Sequence, residues 1–452
     1  MQIKKGLDIP LSGAPKPEIT DLPESSTVAV YQEYEGLKAK VRVKEGDTVK
    51  QGSVLFINKK QPDLCFCSPV AGTVKAIEYG PRRALYRVII EGGSKNEEES
   101  FPSYTPDQLR GVSREDILKS LLASGLLGLI RQRPFSRIAD PDVTPKSIFV
   151  NGMNTAPFSP DLHVAVQGRE KEFQAGLNAM TRLTDGDVHL CIARDASAPS
   201  KAVTEAAHVN IHTFAGPHPS GNSSVHIHHI DPMEPTDQVW VVKGVDLIRI
   251  GELLLAGRYP DTQLFTLAGP GVKEEARGYY RARIGTPLEA VLKDRLQDGE
   301  QRIVSGNVLA GAAVKADEHV RFAESALTVI PEGREQYFMG WLAPGINKFS
   351  VSRAYLSGWF GHKRKWDLTT SLNGSYRSMV LTGLYDKYVP MNIMVDYLVR
   401  AVLAHDTDEA IRLGILGTDP EDFALCSFVC PSKMDICGVI KQGLEEIEKE
   451  GI

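Results

Sequence analysis

The stretch Val43-Lys-Glu-Gly46-Asp-Thr-Val-Lys-Gln-Gly52-Ser-Val-Leu-Phe56, followed by Ser68-Pro-Val-Ala-Gly72-Thr-Val74, sets the architecture of the first part of this chain. Val41 and Val43 alternate with Arg42 and Lys44, the period of a half-buried strand, and Glu45-Gly46-Asp47 and Gln51-Gly52-Ser53 supply two closely spaced turns. The second stretch repeats the strand-turn-strand idea. Between the two halves lies a hairpin tip, Asn58-Lys59-Lys60-Gln61-Pro62-Asp63.

This pattern resembles the barrel-sandwich hybrid of lipoyl and biotinyl carriers, which display a lysine at that tip in Asp-Lys-Ala or Met-Lys-Met. Here Pro62 fixes φ beside Lys59 and Lys60 and alters the tip, so an attached lipoyl or biotinyl group is not expected. Residues 28–97 read as a docking module, and residues 1–27 as an extended N-terminal segment.

Bulk composition narrows the class. A length of 452 residues accommodates several buried cores. The formal charge is −5 with both signs mixed, so a nucleic-acid footprint is absent. The apolar stretch from Leu121 to Ile130 is too short and too glycine-interrupted to cross a bilayer. Met1-Gln-Ile-Lys-Lys5-Gly6 lacks the apolar run of a signal peptide. Six scattered cysteines in a chain of this length point to a reducing compartment.

Past Gly92 the composition changes to a linker, Glu97-Glu-Glu-Ser100 and Phe101-Pro-Ser-Tyr-Thr-Pro106. Residues 98–257 then alternate: a helix from Glu115 to Gly125, a strand at Ser147–Val150, a helix from Lys171 to Leu183 with Phe173, Leu177 and Met180 on one face, and a strand at Val188–Ile192. Such alternation predicts a Rossmann-like parallel α/β sheet. No Gly-x-Gly-x-x-Gly or Walker loop stands where a strand meets a helix, so NADH is expected to bind elsewhere. Residues 258–330 read as a β-grasp (SLBB-like) unit. Leu264–Leu267 runs into Ala268-Gly-Pro-Gly271, Arg302–Val304 runs into Ser305-Gly306, and Thr286-Pro-Leu-Glu289 between them reads as a helix start with Thr286 as cap and Glu289 closing a capping box. Residues 331–452 read as mainly helical: Ile393–Leu403 is apolar, Asp419-Pro-Glu421 is a helix start, and Ile440, Leu444 and Ile447 form one stripe of a charged final helix. The fold class is α+β, multidomain.

Several clusters invite a ligand reading. Cys426-Ser-Phe-Val-Cys430-Pro431 has the ending of a ferredoxin cluster sequence, but residues 416–425 lack the upstream thiols, and three cysteines, counting Cys437, cannot fill four positions. Buried packing is the preferred reading. Cys65 and Cys67 share one side of a strand, again more in the manner of packing than of a metal site. His226 and His228 would share a strand face beside His218, His229 and Asp231, yet no further ligand completes a site. Trp359-Phe-Gly-His-Lys363-Arg-Lys365-Trp366 interleaves aromatics with bases, as a membrane interface, an acidic partner or a solvated loop would.

Several segments together carry a specific resemblance. Ile3-Lys-Lys-Gly6-Leu-Asp-Ile-Pro10-Leu-Ser-Gly13-Ala-Pro15, Ala215-Gly-Pro-His218-Pro-Ser-Gly221 with His226-Ile-His228, Gly340-Trp-Leu-Ala-Pro-Gly345, and Ser371-Leu-Asn-Gly374-Ser-Tyr-Arg377-Ser-Met-Val380 resemble, in this order and over essentially the whole chain, the A subunits of the bacterial Na+-translocating NADH:quinone oxidoreductases. The resemblance implies a peripheral subunit on the cytoplasmic side of the bacterial inner membrane. Its complex moves electrons from NADH to ubiquinone and exports sodium. FAD, FMN, riboflavin and iron–sulfur centres sit on the other subunits. The partners implied are those subunits, chief among them the membrane-embedded B subunit, with ubiquinone as a further ligand near their junction.

A more distant resemblance concerns the cofactor. Ser124-Gly125-Leu-Leu-Gly128-Leu-Ile-Arg-Gln-Arg-Pro134-Phe135 and Pro145-Lys-Ser-Ile-Phe-Val-Asn151-Gly-Met-Asn-Thr-Ala-Pro157 are similar to the flavin-binding subunit of complex I and to the Rnf complex C subunit. Those relatives hold flavin phosphate on a Gly-Arg-Gly-Gly-Ala-Gly-Phe-Pro loop. Here side chains stand where glycines leave space, and the backbone nest for phosphate is hard to form, although Arg131 and Arg133 could meet an anion. The expected role is therefore assembly and shaping of the quinone end, with no cofactor on this chain. The family resemblance implies that Lys4, Gly6, Leu7, Asp8, Ile9 and Pro10 approach the membrane-embedded partner. Their irregular periodicity and Gly/Pro spacing suit a docked arm, expected to be dispensable for folding. A stand-alone flavin-dependent oxidoreductase and a metal-binding module are the alternatives.

Overall fold

The computed structural model describes residues 1–93, 97–335, 338–340, 342–360, 364–380 and 382–451. The N-terminal unit is a barrel-sandwich of two sheets. Thr27–Tyr31, Leu85–Gly92, Gly72–Tyr79 and Thr48–Val49 form one, and Ala39–Val41, Val54–Asn58 and Cys65–Cys67 the other. Leu55, Phe66, Val74, Val88 and Ile90 share a common core, and Val41 and Val43, read as one face of a half-buried strand, pack against it partly buried. Lys59 and Lys60 stand exposed at the tip joining Val54–Asn58 to Cys65–Cys67.

The second unit is built on a sheet of six strands. Its parallel part runs Val239–Lys243, Ser147–Asn151, Val188–Ala193, Asn210–Phe214, and the first and last of these are the last and third in chain order. Ile130–Arg133 pairs antiparallel with Val239–Lys243 and, on its other side, with Arg137–Ile138, and this short hairpin is the antiparallel edge of the sheet. Helices Arg114–Ser124, Glu170–Met180 and Gly244–Ala256 cover one face, burying Ile148, Val150, Leu190 and Val242. The other face, with Phe149, Cys191, Phe214, Val239 and Val241, joins a separate core made with the C-terminal helices. Because this sheet is covered on both faces, its strands are near-continuous apolar runs, which is why they were legible. Helix Arg114–Ser124 starts on Ser113, whose hydroxyl accepts from the Asp116 amide, and stops at left-handed Gly125.

The third unit is a mixed sheet of six strands, ordered Ile19–Asp21, Gly278–Arg283, Thr262–Ala268, Ala326–Pro331, Gln301–Ser305, Ala312–Val314. The helix read after Pro287 is present as Leu288–Leu292 and buries Leu288, Val291 and Leu292. Its expected cap is not. Pro287 occupies the cap position, and the Thr286 hydroxyl donates to the Arg283 carbonyl at 2.8 Å, since the preceding turn offers it a nearer partner. The N-terminal segment also departs from a purely extended arm: Ile19–Asp21 pairs in parallel with Tyr279–Arg281 as an edge strand.

The last part is helical only from Tyr385 onward. Val395–Leu403, Thr407–Arg412, Ala424–Val429 and Ile436–Glu450 pack around Phe423, Ile436, Ile440 and Ile447. From Glu332 to Leu384 the described chain is irregular apart from Ser357–Phe360, because Pro344, repeated glycines and scattered polar residues break any helical stripe. Asp419 begins its turn as read, capping it jointly with Asp422. No helix among the described residues is long and apolar enough to cross a membrane.

At Gly125 a Cβ would lie 2.2 Å from the Cys65 carbonyl oxygen, on a backbone with φ of 76°. Gly125→Ala is therefore expected to separate the barrel from the second unit and to cost at least about 1 kcal/mol, read as a lower thermal midpoint of the purified chain.

Candidate functional site: a cleft where four units meet

In an open parallel sheet, neighbouring strands whose connections run in opposite directions leave a crevice at their carboxyl ends. Here those strands are Ser147–Asn151 and Val239–Lys243. A cleft of about 600 Å³ opens there, walled also by the barrel, the third unit and the C-terminal helices. Asn151, Asn154, Ser223 and Lys243 line it from the sheet side, and Arg131 and Arg133 from the edge hairpin.

The short Leu126–Leu129 turn and the strand Ile130–Arg133 form the wall where glycines were expected to be replaced. The replacement side chains are all engaged. A Cβ on Gly128 would sit 2.5 Å from the Tyr34 hydroxyl, so this ring from the barrel fills the space over the turn. The Arg131 guanidinium stacks on the same ring at 4.8 Å. The Tyr34 hydroxyl is buried without a partner among the described residues, and burial pushes its pKa up. Arg133, 5% exposed, pairs with Asp419 at 2.7 Å and donates to the Thr418 carbonyl at 3.1 Å. Ser136 also donates to Asp419.

Carboxylates hold the other walls. Glu33 of the barrel accepts from the Phe322 amide at 2.7 Å and the Ala323 amide at 3.2 Å, clamping the third unit, and burial raises its pKa. Arg137 donates to Glu448 at 2.9 Å and to Glu35 at 3.2 Å, so Glu35 and the last helix meet across the cleft rim. Asp422 accepts from buried Asn222 at 2.9 Å. Glu421 is open to water on the cleft side but enclosed by the walls. That enclosure, then the charges of Asp419 and Asp422, push its carboxyl up to about 8.

The arm residues lie elsewhere. Ile3, Ile9 and Leu11 are buried in the core shared by the second and C-terminal units. The Gly6 amide donates to Lys387 and the Leu7 amide to His218, while Asp8 accepts from the His218 amide at 2.9 Å. Lys4 and Asp8 are exposed, Gly6, Leu7 and Pro10 half-buried. The arm is thus not free of the folded body: its removal would take three side chains from a core that also holds Phe214 and Tyr385.

His226, His228 and His229 are on the helix Ser223–Ile230, not on a strand, and His218 lies in the segment before it. Two positions apart on a helix, His226 and His228 face different directions. His226 Nε2 bonds the Ser220 carbonyl at 3.1 Å, and burial lowers its pKa to about 3. His218 pairs with Thr155 at 3.0 Å and is likewise held down, to about 4. Cys430 meets the Tyr385 hydroxyl at 3.0 Å, Ser427 donates to Cys437 at 3.6 Å, and Cys67 donates to the Ala123 carbonyl at 3.3 Å. Among the described residues no three His, Cys, Asp or Glu side chains converge as a metal site. Of the aromatic-basic run, Trp359 is exposed and Arg364 stacks on Trp366 at 4.3 Å. Gly361, His362 and Lys363 lie outside the described residues. Sequence reasoning missed Tyr34, Glu33 and the Arg133–Asp419 pair. The pair's two signals, Arg133 as a residue able to meet an anion and Asp419 as a helix start, stood apart in the sequence.

Comparison with known proteins then places the chain. Three family models match: the NqrA N-terminal barrel-sandwich hybrid domain over residues 1–92, the NqrA second alpha/beta domain over 112–259, and the NQRA C-terminal domain over 265–316. Full-length relatives are the A subunit of the Na(+)-translocating NADH-quinone reductase of Pasteurella multocida, 43% identical over 99% of both chains, and that of Histophilus somni, 40% identical over 99% of both. The corresponding A subunit of Neisseria meningitidis serogroup A is 39% identical over the whole of both chains. A crystal structure of an NAD+-reducing [NiFe]-hydrogenase covers 78% of this chain and 67% of its own at 13% identity, with a TM-score of 0.37, too low for any conclusion. The molecule is thus a multidomain α/β protein of the respiratory-subunit type. It belongs to the NqrA family, the A subunits of the Na(+)-translocating NADH-quinone reductases.

Two outcomes follow for the cleft. Arg133→Ala strands a largely buried carboxylate and is expected to cost about 3 kcal/mol, measured by denaturant unfolding. Glu421 has a folded pKa raised above its ordinary 4.5, so its contribution to stability is complete below that value and is lost as pH rises toward about 8. Glu421→Gln should therefore flatten the fall in thermal midpoint between acidic and alkaline buffer. A wild-type slope in the variant would count against this.

Proposed function

We propose that this chain is the A subunit of a Na+-translocating NADH:quinone reductase, the complex that oxidises NADH, reduces ubiquinone and exports sodium. The observation carrying the reading is the 43% identity, across 99% of both chains, to a protein of that name. In it the second unit serves as a Rossmann-like domain and the third as a β-grasp, SLBB-like domain. The chain sits peripherally on the cytoplasmic side of the inner membrane against the membrane-embedded B subunit.

Its own role is structural rather than redox. In support, the positions corresponding to the flavin-phosphate loop of complex I carry Ile130, Arg131 and Arg133, and the two arginines are already held by Tyr34 and Asp419. Flavins and iron–sulfur centres then act on the other subunits, and no observation favours a stand-alone flavoenzyme or a metal module. The arm supports the quinone end. Lys4 is exposed, and Asp8, exposed but held by the His218 amide, precedes Ile9, which is locked into the core, so both are presented at a defined place.

The test uses the assembled complex. Lys4→Glu, which touches no core contact, should leave the thermal midpoint of the chain unchanged and lower ubiquinone reduction while NADH oxidation by an artificial acceptor persists. Equal loss of both activities would argue against a quinone-end role. A visible absorption spectrum of the purified chain should show no flavin or cluster band.

A further inference from the structure

Between Phe338 and Leu384 the chain departs in two ways from the rest of its surface. Among the described residues, nine of the fourteen exposed large hydrophobic side chains fall there. Phe338 is 93% exposed, and Trp359 and Tyr376 are 73% exposed each. The same stretch holds six Lys and Arg against one Asp, whereas the remainder of the chain holds 46 against 56. Arg353, Arg364, Lys365 and Arg377 are all exposed, and none forms an ion pair among the described residues. Apolar exposure of this density is rarely left to water, and a basic rim restricts what covers it.

We propose that this lobe is the surface that seats the chain on its membrane-embedded partner, and that the partner offers an apolar surface edged with acidic residues. The assignment rests on the family reading above and names the docking face within it. The lobe is a fixed platform. The Trp366 amide donates to Pro10, the Ser12 amide donates to Trp366, and the Phe349 ring packs against Trp366 and Phe428. Ser432 ties down the second half by donating to Ser378 and accepting from the Arg377 amide. Through Trp366 the lobe is continuous with the arm that carries Lys4 and Asp8. A protein fits better than a lipid surface. The apolar side chains come mostly from irregular backbone and not from one amphipathic helix face, the form in which a chain lies in a lipid interface.

The test co-expresses the full chain with the membrane subunits of its complex and purifies through a tag on one of them. Arg353→Glu/Arg364→Glu/Lys365→Glu/Arg377→Glu and, separately, Trp359→Ser/Tyr376→Ser should keep the thermal midpoint of the isolated chain. Each should cut its recovery in the complex roughly tenfold or more. Without any substitution, Phe338, Met339, Trp359 and Tyr376 should lose most of their hydroxyl-radical labelling on assembly, and the unmodified chain should not float with vesicles of equal parts phosphatidylcholine and phosphatidylglycerol. Normal recovery of both variants, or labelling unchanged by assembly, overturns the proposal. So does flotation of the parent chain that the charge reversal abolishes, which would assign the lobe to lipid. Failure of the parent chain itself to co-purify would instead overturn the family-based reading of the chain as part of that complex.

Discussion

The pairing of Arg133 with Asp419 is the constraint around which the molecule closes. It joins strand Ile130–Arg133 of the second unit to the cap of the Pro420–Phe423 turn in the C-terminal part, and it does so with little water around either group. A buried pair of this kind adds little net energy over an apolar substitute, but losing one partner is costly, so its effect is to fix relative position. Glu33 on the third unit's amides and Arg137 between Glu35 and Glu448 do the same on the other sides. The cleft is the space these three links leave open.

That arrangement changes what the edge hairpin can do. An open glycine loop would present backbone amides to an anion. In this chain two arginines point into the same region, and each is answered by an internal group, one by the Tyr34 ring and one by a carboxylate. Both arginines thereby serve an interdomain joint. The N-terminal arm follows similar logic, since its apolar residues complete a core belonging to two other units while Lys4 and Asp8 remain outside.

Much of this was legible before the structure. The turns at Gly46 and Gly52, the apolar strands Ser147–Asn151 and Val188–Ala193, and the stripe of Ile440, Leu444 and Ile447 are local or periodic signals, and each marks an element that is present. The helix after Pro287 was legible as well, but not its cap, because Thr286 found a partner in the turn before it. The histidine segment was misread as a strand because alternation over three residues cannot be told from a short helix. The arm looked dispensable because an aperiodic segment gives no sign of which surface its isoleucines and leucine will enter.

The sequence by itself determined the kinds of unit and their order, since turns, caps and hydrophobic periods act within a few residues. It also contained the basic and aromatic run at 359–366 and the two arginines at 131 and 133. Only the tertiary structure decided what those arginines would meet. Arg133 and Thr418 are 285 positions apart, and no local rule relates them. Charges so far apart in the chain are brought together by the packing of whole domains, and that packing is settled by the summed burial of many side chains rather than by either residue.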